Sequence, residues 1–163
     1  MNTLLTGQPG SGKTGWCYEY VNWLRSFGVS VGGVLSPGVH EAGTRIGFDL
    51  VDLLTGDEIV FAREKGKAHF EGVPVGAYTI SDEGLAFGLN AIERAVHKPC
   101  DLVVIDEVGH LELDDGGLMP AVSVAWMSPV NTLIVVRSSL QDEVLSYFEQ
   151  KEARSTCVVV RRG

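Results

Sequence analysis

The residues Gly7-Gln8-Pro9-Gly10-Ser11-Gly12-Lys13-Thr14 constrain this chain more than any other segment. They fit the pattern Gly-x-x-x-x-Gly-Lys-Ser/Thr at every fixed position and follow the short apolar run Leu4-Leu5. Such a loop turns its backbone N–H groups onto an anion, its lysine reaches the β- and γ-phosphates of a nucleotide, and its hydroxyl ligates Mg²⁺. Gly7, Gln8, Pro9, Gly10, Ser11, Gly12, Lys13, Thr14 and Gly15 are therefore the expected phosphate-binding residues, with Lys13 also catalytic and Thr14 also a metal ligand. With 20 glycines among 163 residues the octapeptide can arise by chance. It needs a strand before it, a helix after it and an acidic strand elsewhere.

All three are present. Residues 2–6 read as a buried strand, and Trp16, Cys17, Tyr20, Leu24 and Phe27 recur at helical spacing until Gly28 stops the helix. The N-terminus of that helix adds unpaired N–H groups and a dipole that favour phosphate. Leu102–Ile105 is a continuous apolar run typical of a strand buried on both faces, and it ends at Asp106-Glu107.

Between these landmarks, residues 29–36 read as a strand ending at Pro37-Gly38, and 46–54 alternate like a half-buried strand closing at Thr55-Gly56-Asp57. Residues 57–62 add a short strand, whereas 63–67 and the segment to Gly76 read as exposed loop, so a small β-hairpin insertion is expected over about 37–76. Ser81-Asp82-Glu83 caps a helix with Leu85, Leu89, Ile92 and Val96 on one face, ending at His97-Lys98-Pro99. Residues 117–127 and 140–150 read as helices, 132–136 and 156–160 as strands. The alternation predicts one α/β domain over 1–163, a sandwich with a mainly parallel central sheet whose ligands bind at the carboxyl ends of the strands.

That edge collects the chemistry. Asp106 is the expected acid of the Mg²⁺ shell, acting through water beside Thr14, because Mg²⁺ keeps several waters and takes few protein carboxylates. Glu107 is placed to align a water with the γ-phosphorus. Arg137, at the end of the 132–136 strand, is the expected catalytic cation for the γ-phosphate. Arg45 and Lys65, in the inserted region, are expected to close over the nucleotide as a lid. Asp106-Glu107-Val108-Gly109 also fits the Asp-x-x-Gly pattern of guanine-nucleotide switches, but the base-reading Asn-Lys-x-Asp segment is absent. His110 and Glu112 are two ligands in a loop without a third, too few for a metal pair.

The net charge of −8, with basic residues dispersed apart from Arg161-Arg162, leaves no stripe to neutralise a polynucleotide, so no nucleic-acid partner is expected. No window of about 18 apolar residues exists, and no membrane association is expected. Cys17, Cys100 and Cys157 are odd in number and scattered, which suits a reducing compartment and a soluble, cytoplasmic protein. Trp126 and Met127 are compatible with core or with a protein interface.

Several segments together resemble the THEP1-type nucleoside-triphosphatases: Gly7–Thr14, Gly33-Val34-Leu35-Ser36, Arg45-Ile46-Gly47-Phe48-Asp49-Leu50, Val75-Gly76-Ala77-Tyr78 and Asp101–Leu113. Their order and spacing match over nearly the whole chain. The resemblance implies a RecA-like, three-layer P-loop fold and Mg²⁺-dependent hydrolysis of the terminal phosphate of ATP, GTP and other nucleoside triphosphates, with broad base tolerance. Where that family shows cations, this chain has His40, Ala77 and His110, so slower hydrolysis or reliance on Arg45 and Arg137 is expected. Three readings stand at this point: a triphosphatase, a small nucleotide or metabolite kinase with the same loop, and a nucleotide-gated binding module.

Overall fold

Leu4-Leu5 and Leu102–Ile105 both become interior strands of one sheet, as their unbroken apolar character requires. The computed structural model describes residues 1–98, 100–151 and 157–162, less the side chains of Glu107, Cys157 and Arg162. Pro99 and Thr156, expected as the ends of a helix and a strand, lie outside the described residues.

The chain begins with β1 (Asn2–Gly7), α1 (Lys13–Ser26) and β2 (Val31–Leu35). It continues through β3 (Gly38–Glu41), β4 (Thr44–Asp52), β5 (Glu58–Glu64), β6 (Gly72–Val75) and β7 (Tyr78–Ser81) to α2 (Asp82–His97). β8 (Leu102–Val108), α3 (His110–Leu113), α4 (Met119–Met127), β9 (Asn131–Arg137), α5 (Gln141–Gln150) and β10 (Cys157–Arg162) complete it. Among the described residues the sheet is ten-stranded in the order β10-β1-β9-β8-β2-β4-β5-β7-β6, with β3 paired to β4.

The sheet is mixed, which revises the expectation of a mainly parallel one. β10, β1, β9, β8 and β2 run parallel, while β4 turns antiparallel to β2 and every pairing beyond it is antiparallel. The inserted region is thus larger than a hairpin and extends the same sheet. Three strands of this extension, β3, β6 and β7, are hidden in the sequence for a physical reason: each is four residues long, and glycine or proline lies within or beside it, as Gly38 in β3, Gly72 and Pro74 in β6 and Gly76 before β7. Arg63, read as a solvated loop charge, lies in β5 and pairs with Asp49 at 2.7 Å while donating to Phe48 O at 2.9 Å.

Residues alternate between two cores. Leu5, Val104 and Val135 face α1 with Cys17 and Val21, whereas Leu4, Ile105, Ile134 and Leu50 face α2, α4 and α5 with Ile92, Val122 and Phe148. Phe27, predicted on the buried stripe of α1, is 70% exposed because the helix ends one residue before it. The face that α2 buries is Gly84, Gly88, Ala91, Ile92 and Ala95, shifted from the predicted leucine stripe. The helix sits so close that a Cβ on Gly88 would meet Leu118 Cδ2 at 2.7 Å and Leu50 Cδ1 at 2.8 Å. Its start is as expected, with Ser81 Oγ accepting from Gly84 N at 3.1 Å. Trp126 is buried and stacks on Phe148 at 4.1 Å, while Met127 is exposed. No helix of the described residues is long and apolar enough to cross a membrane.

A buried charge ties the antiparallel strands to α2. Asp52 is fully buried, accepts from Leu54 N at 2.7 Å and pairs with Arg94. Removing one partner of a buried pair costs about 3–5 kcal/mol, and the partly exposed arginine lowers that here to about 2 kcal/mol. Arg94→Ala is expected to reduce unfolding free energy by that amount in urea titrations, and Arg94→Lys to recover part of it.

Candidate nucleotide site

Gly10 and Gly12 have φ of 79° and 77°, the left-handed conformation that lets the backbone curl without a Cβ penalty. Gly12 is also the N-cap of α1, so the loop delivers Lys13 and Thr14 on the first helical turn. Ser11 N donates to Gln8 O at 3.2 Å, closing the loop on itself. The Lys13 side chain is buried and runs back beneath the loop, where Nζ donates to Gly7 O and Gln8 O, each at 3.0 Å. No acidic residue occupies the first turn of α1, so the positive end of its dipole is uncompensated from within the helix.

Strand order sets the spacing of the remaining parts. β9 lies between β1 and β8, and the register pairs Gly7 with Arg137. Arg137 therefore stands beside the start of the loop, with the acidic strand next. On β8 the pairing runs from Ile105 opposite Ile134 to Val108 opposite Val136, so three steps on β8 span two on β9. Asp106-Glu107 sits in this bulge, a device that re-aims side chains at the rim of a sheet. Asp106 is 2% exposed and its Oδ2 accepts from Ser36 N, at the end of β2, at 3.1 Å. Thr14 and Asp106 bring hydroxyl and carboxylate oxygens, the hard donors that suit Mg²⁺. The backbone of Glu107 lies in β8, while the expected role of its side chain falls outside the described residues.

Glu112, weighed as half of a metal pair, instead caps the turn that follows. It is buried, with Oε2 accepting from Gly109 N at 2.9 Å and Oε1 from Leu118 N at 3.2 Å. His110, read as loop, opens the short helix α3 and is exposed. Arg45 lies on β4 rather than on the parallel-strand edge, its guanidinium 5.1 Å from the centre of the Phe48 ring. Lys65 is exposed in the turn after β5, with its N–H donating to Ala77 O at 3.1 Å. The loop, Arg137 and Asp106 are thus brought to one edge by the parallel strands, whereas Arg45 and Lys65 belong to the antiparallel extension.

A family model described as NTPase matches residues 2–162. The chain belongs to the NTPase family. Within that family it is 39% identical to the nucleoside-triphosphatase THEP1 of Thermofilum pendens over 163 residues, covering 98% of this chain and 87% of the relative. It is 39% identical to the THEP1 of Methanopyrus kandleri over 144 residues, covering 88% of this chain and 77% of the relative. The solution structure of a human cancer-related nucleoside triphosphatase superposes with a TM-score of 0.69 at 27% identity, covering 98% of this chain and 87% of that one.

For this NTPase chain, sequence reasoning missed Ser36, whose backbone orients Asp106, and a polar group on the other flank of the loop. There Thr6 Oγ1 donates to Gln141 Oε1 at 3.4 Å, and Arg161 pairs across from Thr6 on β10. With Gly7, Gln8, Ser138 and Asp142 they line a cavity of about 450 Å³. Ser36 was legible only as the last residue of a strand that ends at proline. Arg161 was legible only once β10 was known to pair with β1.

Proposed function

We propose that residues 1–163 form one nucleotide-binding domain of RecA-like, three-layer P-loop architecture that hydrolyses the terminal phosphate of nucleoside triphosphates. Hydrolysis of an acid anhydride follows from membership of the NTPase family. The observation that carries the finer reading is the order along one sheet edge: phosphate loop on β1, Arg137 on β9, Asp106 on β8.

In this reading the backbone N–H groups of residues 10–14 and the α1 dipole hold the phosphates, with Gly7, Gln8, Pro9, Gly15 and Arg45 completing the nucleotide contacts. Lys13 neutralises the β- and γ-phosphates. Thr14 and Asp106 are the residues that would hold Mg²⁺, which when bound draws charge off the phosphate oxygens. Ser36 N keeps the Asp106 carboxylate turned toward that position. Arg137 stabilises charge on the transferred group. Glu107 holds the attacking water in line and takes its proton, so the water oxygen bonds to the γ-phosphorus as the β–γ bridge breaks. Hydrolysis is expected to tolerate different bases, since the assigned contacts are to phosphate. Cys17, buried, and Cys100, half-buried, suit the reducing cytoplasm.

Glu107→Gln tests the mechanism. It is expected to leave nucleotide affinity nearly intact and lower phosphate release from ATP and from GTP by roughly 100-fold, a typical general-base contribution. A variant of normal rate would remove Glu107 from the site.

A further inference from the structure

One cavity borders the nucleotide loop at Gly7 and Gln8 and another borders Asp106 and Arg137, and one triphosphate does not need both. The terminal phosphate must meet Thr14 and Asp106, so it points from β1 toward β8, and the nucleoside trails the other way, toward β10 and α5. The cavity beyond Asp106 is therefore on the far side of the phosphorus that reacts. Its volume is about 330 Å³, within the usual range for small-molecule sites.

That cavity has two unlike walls. The floor is the polar edge of the parallel strands, with Ser36, Asp106 and Arg137. The opposite wall is built by the antiparallel strands and is aromatic, with Phe48, Phe61 and Tyr78. A bulge makes that wall: Asp49 pairs with Val60 and Phe48 with Ala62, leaving Phe61 as the extra residue, so that consecutive Phe61 and Ala62 both line the space. The Phe48 and Tyr78 rings meet edge to face at 5.5 Å, and Arg63 fixes the strand pair from behind through Phe48 O and Asp49.

We propose that this cavity is an acceptor site for a nucleoside, whose base stacks on the aromatic wall while a sugar hydroxyl reaches the polar floor and competes with water for the γ-phosphate. A planar ring is what such a wall recognises. A second nucleotide fits less well, because among the described lining residues Asp106 stands beside a single permanent cation, Arg137, already engaged by the first. The hydroxyl oxygen bonds to the γ-phosphorus and the β–γ bridging bond breaks, its electron pair leaving on the nucleoside diphosphate. The hydroxyl proton passes to the carboxylate that otherwise serves water. The proposal rests on the reading of Lys13, Thr14 and Asp106 as the triphosphate site.

The test incubates the full chain with Mg²⁺ and γ-labelled ATP, alone and with adenosine, guanosine, cytidine, uridine or thymidine, and separates labelled phosphate from labelled nucleoside monophosphate. At least one nucleoside is expected to take label. Tyr78→Ala and the milder Phe48→Leu should raise the half-saturating nucleoside concentration by about tenfold or more, the scale of one lost stacking contact, with phosphate release in its absence within about twofold of normal. Phosphate release with no labelled nucleoside in any of the five would overturn the acceptor site and leave hydrolysis standing. Absence of both products would overturn the triphosphate reading itself and the acceptor site with it. Transfer and hydrolysis falling in parallel in both variants would also overturn the proposal.

Discussion

Alanine in place of Gly33 is expected to cost more than about 4 kcal/mol and to leave little folded protein, because two effects act on one buried strand. Gly33 has φ +97°, a conformation that a side chain rarely adopts, and an ideal Cβ would lie 2.0 Å from Val104 O and 2.9 Å from Val104 N. The obstacle is the backbone of β8, directly paired with Gly33, so relief requires separating β2 from the strand that carries Asp106. Gly28 supplies the control. It has φ +80° but nothing within 4 Å of its Cβ, so Gly28→Ala incurs only the conformational strain of about 1–2 kcal/mol. Urea unfolding followed by circular dichroism measures both, and comparable costs at the two positions would show that β2 adjusts freely against β8.

Lys13→Ala is expected to lower turnover by about 10²–10³-fold, the scale for removing one preorganised group that stabilises transition-state charge. Affinity for triphosphate should fall as well, since the same ammonium organises the loop through Gly7 O and Gln8 O. Lys13→Arg is not expected to restore activity, because a planar guanidinium fork does not fit a site shaped to a point charge between two carbonyls. The fold should persist, as the loop residues Gln8, Pro9 and Gly10 are exposed and the core lies behind them. Steady-state kinetics with a parallel melting curve separates the two effects. A fully active, normally folded Lys13→Ala would remove this loop from the reaction.

The parallel half of the molecule was legible because its signals are local. Leu102–Ile105 is apolar without a break, Gly10 and Gly12 announce left-handed turns, and Ser81 stands before two acids. Convergence of the loop, Arg137 and Asp106 followed from strand direction alone. The antiparallel half reads as a hairpin and loop because its strands are short, with Gly72 and Pro74 in β6 and Gly76 just before β7, and because Arg63 gains its reason only from Asp49 across the ladder. Two features of the site have no local signature. The bulge at Asp106-Glu107 depends on how β8 meets β9, and the hold of Ser36 on Asp106 spans strands separated by 70 residues. Likewise the capping role of Glu112 has no local signature, because its two amide partners, Gly109 and Leu118, are set by the turn around it.

Helix α1, which begins at Lys13, also carries a row of stacked rings. Trp16 lies against Tyr20 at 4.8 Å, Tyr20 against Trp23 at 5.9 Å, and Trp23 against Phe27 at 5.0 Å. Trp16 begins less than one turn after Lys13, so the row is rigidly coupled to the loop, while Trp126 is sealed on the opposite face of the sheet against Phe148. The molecule thereby contains an optical pair: two indoles on the helix that starts at Lys13, and one in a constant surrounding that serves as internal reference. Occupancy of the loop is in principle written in the ultraviolet emission of the unlabelled chain.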